Sequence, residues 1–123
     1  MPQKRVFLVE DHPMLREGYR DWLEYAGHRV VLEATSLPEA LEKIVKLETE
    51  QVDVAILDGN LTKNDKSGKD GETIARAIRK QFPSVKIVCL SLGDYDWSDL
   101  MFSKGSVIGR DGSNPLGDAV SAL

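Results

Sequence analysis

A chain of 123 residues can bury one core without disulfides or a structural metal, and its single cysteine, Cys89, excludes an internal disulfide. Its 16 basic and 20 acidic side chains leave a formal charge of -4, which gives no support to strong nonspecific nucleic-acid binding. No apolar stretch approaches the roughly 20 residues of a membrane span and no charged-then-apolar leader opens the sequence, so a single cytoplasmic domain over residues 1–123 is the expectation.

Short apolar runs alternate with segments of helical period, the pattern of β-α units stacked around a parallel sheet. The first run spans Arg5 to Glu10. Asp11 then falls where an N-cap belongs, Pro13 fits an early helical position, and Leu15, Tyr19, Trp22, Leu23 and Ala26 recur at helical spacing until Gly27. His28 to Ala34 reads as the second strand. Ser36 and Pro38 open a second helix with Leu37, Ala40, Leu41, Ile44, Val45 and Leu47 as its buried stripe, fading near Glu50. Val52 to Asp58 is the most uniformly apolar strand, which places it centrally with helices on both faces. The polar segment from Gly59 through Lys69 reads as a long loop. Asp70 and Gly71 lead into a third helix with Ile74, Ala75, Ala77, Ile78 and Phe82 inward, ended by Pro83. Val85 to Ser91 is the fourth strand, and Gly93 to Met101 has room only for a short fourth helix. Ser106 to Gly109 reads as the fifth strand, followed by a last helix from about Asn114 to the C-terminus.

Glu10 and Asp11 close the first apolar run and Asp58 closes the third. If those strands are parallel neighbours, their carboxyl ends share one edge of the sheet and the three acids converge. Like charges that close repel, and a hard divalent cation offsets the repulsion. A carboxylate ending a buried strand can attack phosphorus and form an acyl phosphate when a metal is beside it. Asp58 is the candidate nucleophile, Glu10 and Asp11 are placed to hold the metal, the Asn60 carbonyl can complete the protein's oxygen ligands, and Ser91 can donate its hydroxyl to a phosphoryl oxygen. Blander roles stand beside these: Asp11 as a helix cap, Asp58 as the start of a turn, Ser91 as an ordinary strand end. His12 and His28 have no Cys or His at ligand spacing and read as surface or packing residues, and Cys89 reads as an inert core thiol. Tyr95 and Trp97 fit either a cover for the end of the sheet or an exposed partner patch.

Val9-Glu10-Asp11-His12-Pro13, Ala55-Ile56-Leu57-Asp58, Asp70-Gly71 and Leu90-Ser91 occur in the order and at about the spacing of a two-component response-regulator receiver domain, which the chain resembles over nearly its whole length. The resemblance implies an α/β, flavodoxin-like (βα)5 fold with a five-stranded parallel sheet of order 2-1-3-4-5 and helices on both faces. It implies a phosphoacceptor signalling domain rather than an enzyme: Asp58 takes a phosphoryl group from a histidine kinase or phosphotransfer protein, with Mg²⁺ held by Glu10, Asp11, Asp58 and the Asn60 backbone carbonyl. Output then passes to a downstream protein target, with no direct nucleic-acid binding and no membrane span. Receivers usually carry a Lys after strand five. Gly109-Arg110-Asp111 occupies that region here, making Arg110 the first match for the phosphate-contacting cation and Lys104 the alternative. The spacing from Ser91 to Arg110 is about one helical turn shorter than the family norm, Leu92 stands where the family prefers a small residue, and Val107 where it places an aromatic switch. Two other readings stay open: a pseudo-receiver acting as a constitutive interaction module, and a Mg²⁺-dependent phosphohydrolase, which lacks the second acid because Asn60 stands there.

Overall fold

In the computed structural model, residues 3–58, 69–91, 97–103 and 113–123 are described. The apolar runs become β1 (Arg5–Val9), β2 (Arg29–Ala34), β3 (Val54–Asp58), β4 (Lys86–Ser91) and β5 (Leu100–Ser103). They pair in parallel in the order β2-β1-β3-β4-β5, the flavodoxin-like order expected. Around them lie α1 (Pro13–Tyr25), α2 (Leu37–Lys43) continued by one 3-10 turn (Ile44–Lys46), α3 (Lys69–Gln81) and α4 (Pro115–Ser121). Among the described residues, no helix is long and apolar enough to cross a membrane.

Strand side chains alternate between two faces, and both are covered. Phe7, Val9, Ala55, Leu57, Ile87 and Cys89 pack with Ala40 and Ile44 of the α2 segment and with Ile74, Ala75 and Ile78 of α3. Val6, Leu8, Val54, Ile56, Val88 and Leu90 pack on the other side with Tyr19 and Leu23 of α1 and Leu116 and Val120 of α4. This is why every residue of β3 is buried.

Local chemistry sets the helix ends. His12, not Asp11, caps α1: its side chain accepts a hydrogen bond from the Leu15 N–H at 3.4 Å, with Pro13 next in line. At the other end Gly27, at φ +95°, takes the left-handed conformation, and the Gly27 and His28 N–H groups close back on the Glu24 and Leu23 carbonyls. Ser36 caps α2 through the Glu39 N–H while Glu39 reaches back to the Thr35 N–H at 2.7 Å. The apolar stripe of that helix is narrower than its composition suggests. Ala40, Ile44 and Leu47 are buried, but Leu41 and Val45, one position further round, are 38% and 67% exposed. Leu15 in α1 is likewise on the surface rather than inward.

The largest departure is at the fifth strand. The sheet's fifth strand is Leu100–Ser103, and the expected span from Ser106 to Gly109 lies outside the described residues. β5 pairs only with the last part of β4, from Val88↔Leu100 to Ser91↔Ser103. Of the span expected to hold a short fourth helix, residues 93–96 lie outside the described residues and Trp97 through Asp99 form bends; Asp99 is tied to the start of β4 by its N–H to the Ile87 carbonyl and by its carboxylate to the Ile87 N–H, both at 2.8 Å.

Candidate functional site

The register Val9↔Leu57 places the next residue of each strand, Glu10 and Asp58, side by side at the carboxyl edge of the sheet. Both carboxylates are fully buried, whereas Asp11 is exposed. One carboxylate oxygen from each of the three acids lies within 4.8 Å of the others. Two unit charges at that separation repel by about 3 kcal/mol at an effective dielectric near 20, and a cation bound among them would offset that repulsion. Three hard carboxylate oxygens, two of them shielded from bulk water, make a donor set suited to a small divalent ion such as Mg²⁺ and poorly suited to a soft metal.

The backbone holds these groups in place. The Glu10 N–H donates to the Ala34 carbonyl at 3.1 Å, extending the β1–β2 ladder by one residue. The His12 N–H donates to Glu10 Oε2 at 3.3 Å, and Arg16 Nη1 donates to the Glu10 carbonyl at 3.3 Å. Arg16 is itself oriented by Glu33 at 3.5 Å, which also pairs with Arg20 at 3.2 Å. The hydrogen bond to Glu33, reinforced by that carboxylate's charge, raises Arg20 above the ordinary guanidinium value. Because His12 caps α1, Asp11 stands outside the helix and joins the acid cluster instead. This arginine support escaped sequence reading; the only hint was two arginines, Arg16 and Arg20, one turn apart on α1.

Asp58 pairs with Leu90, so Ser91 ends β4 one residue further along the same edge. Asn60, Leu92, Tyr95, Lys104, Val107 and Arg110 lie outside the described residues. The fifth strand of the described sheet is Leu100–Ser103, and the residue that follows it in sequence is Lys104. Beside Asp58, the first turn of α3 brings in Asp70 and Gly71, both buried. Trp97, expected as either a cover or a patch, is 8% exposed and lies against Gly71. A glycine inside a helix, costing about 1 kcal/mol relative to alanine, was the available signal that something packs there.

Comparison with known proteins agrees with this fold. The family model for the response regulator receiver domain matches residues 6–101. The nitrate/nitrite response regulator protein NarP of Escherichia coli (strain K12) is 32% identical over 91 residues, covering 73% of this chain and 39% of NarP. The probable C4-dicarboxylate response regulator DctR of Bacillus subtilis (strain 168) is 32% identical over 104 residues, covering 84% of this chain and 43% of its own length. The chain thus spans about two fifths of the relatives it matches. Among solved structures, the signal receiver domain of NarL from Mycobacterium tuberculosis superposes with a TM-score of 0.73 at 25% identity, covering 99% of this chain and 96% of that one. The non-phosphorylated receiver domain of RcsB from Escherichia coli gives 0.74 at 23% identity over 99% and 93%, a likeness of fold.

Proposed function

The chain belongs to the response regulator receiver domain family, a family of signalling domains rather than classical enzymes, and from that membership we propose that residues 1–123 form one receiver whose Asp58 accepts a phosphoryl group from a histidine kinase or phosphotransfer protein. The observation that carries the proposal is the convergence of Glu10, Asp11 and Asp58 within 4.8 Å at the end of two buried parallel strands. An Asp58 carboxylate oxygen attacks phosphorus, the phosphorus–nitrogen bond to the donor imidazole breaks, and its electron pair returns to that ring. Glu10, Asp11, Asp58 and the Asn60 carbonyl would hold Mg²⁺, whose positive charge would offset repulsion between acceptor and phosphoryl oxygens. The Ser91 hydroxyl donates a hydrogen bond to one phosphoryl oxygen. The cation paired with the phosphoryl group is assigned to Lys104 in preference to Arg110, because Lys104 directly follows β5 and Arg110 comes six residues later. Output passes to a downstream protein through changed contacts.

Incubating the chain with acetyl phosphate and following intact mass tests this reading. One added phosphoryl group, dependent on Mg²⁺ and absent from Asp58→Asn, is the expected result. No added mass on the wild-type chain under the same conditions would instead support an interaction module that works without phosphorylation.

A further inference from the structure

We propose that Trp97 is the coupling residue of this receiver, its indole carrying the state of Asp58 into the segment that leads to β5. The inference rests on Asp58 being the phosphoacceptor and adds how its state is read.

The contact is close. A Cβ built on Gly71 would lie 2.6 Å from Trp97 Cη2, 2.8 Å from Cζ2 and 3.0 Å from the Asp58 carbonyl oxygen. Glycine, indole edge and the last residue of β3 thus meet at one point with no room for a methyl group. The ring is 8% exposed and belongs to the core between the sheet and α3, although it comes from a connection and not from a helix or strand. Interiors packed to this density resist compression, so a small shift at the main chain of Asp58 is passed on as displacement of the ring.

The other end of the residue is fixed to different elements. The Trp97 carbonyl accepts a hydrogen bond from Arg79 near the end of α3, and Arg79 pairs with Asp99 at 3.6 Å. Asp99 exchanges two bonds with Ile87 at 2.8 Å and stands immediately before β5. Through Gly71, which stands against both, the ring therefore links the strand end bearing Asp58 to the root of the edge strand. The aromatic of β5 itself, Phe102, packs against the opposite core and makes no such bridge. A side chain that only filled space would show the same burial, so the test must read the ring's environment during phosphorylation.

Fluorotryptophan incorporated into the 123-residue chain gives two reporters, Trp22 and Trp97, whose fluorine NMR resonances are assigned with Trp22→Phe. Acetyl phosphate with Mg²⁺ is added while intact mass is followed in parallel. The proposal expects the Trp97 resonance to shift as phosphoryl mass appears, with Trp22 unmoved, and neither change in Asp58→Asn. Mass gain with a stationary Trp97 resonance overturns the coupling and leaves the phosphoacceptor reading intact; absence of mass gain overturns both. As a second arm that needs no tryptophan signal, Trp97→Phe should still gain phosphoryl mass while losing the phosphorylation-dependent change in amide exchange at residues 100–103. Retention of that change overturns the coupling.

Discussion

At the scale of single residues, Glu10 and Asp58 bring two carboxylates into full burial within 4.8 Å of each other. Asp58→Asn keeps the shape and removes one of the three acids grouped within 4.8 Å. It should therefore reduce the stabilisation that added Mg²⁺ gives in urea titrations; an unchanged Mg²⁺ dependence would show that Asp58 is no part of the pocket. The cation beside the phosphoryl group is separable by the same means. Lys104→Ala should slow phosphoryl incorporation by about tenfold, the loss of one charge-assisted hydrogen bond, whereas Arg110→Ala should stay within about twofold in the same mass assay. The three acids were legible in the sequence because each interrupts an apolar run at its carboxyl end. The capping role of His12 was not legible. Asp11 and His12 both offer an acceptor to the first turn, and only the path of the backbone decides which side chain faces it.

Among the elements, α4 is short and held by specific bonds as well as by packing. His28, 3% exposed, accepts from the Lys4 N–H at 3.1 Å through Nδ1, which leaves Nε2 to donate to the Gly117 carbonyl at 3.0 Å beside the Ser121 hydroxyl. Asn114 caps the helix through the Gly117 N–H and spans to the Trp22 carbonyl of α1 at 2.7 Å. His28→Leu leaves buried donors and acceptors facing an apolar side chain. We expect a loss of about 1 to 3 kcal/mol in urea unfolding, with amide exchange in residues 115–121 accelerating before the central strands; uniform exchange would contradict a clamp on this helix. The start of α4 at Asn114-Pro115 was legible from its cap and proline. The fifth strand was not, since Leu100-Met101-Phe102 and Val107-Ile108 are both short apolar runs with strand character. What selects the first is its pairing with Val88 through Ser91, a tertiary constraint that no local pattern contains.

Across the whole molecule, two cores on opposite faces of one parallel sheet bury its central strands and leave the carboxyl edge as the place where charge can collect. The ion pairs of Arg5, Arg16, Arg20, Arg76 and Arg79 are partly exposed and add little, so stability rests on the two cores. The parallel α/β class was legible because apolar runs and helical segments alternate through β4, whereas the strand order came from the receiver-like motifs and not from any local pattern. Phosphoryl acceptance at Asp58 requires the three acids to act together as one cation pocket. Isothermal titration with Mg²⁺ measures that directly: one site per chain is expected in the wild type, abolished by Asp58→Asn and by Glu10→Gln combined with Asp11→Asn. Equal Mg²⁺ binding by all three proteins, or none by the wild type, would contradict it.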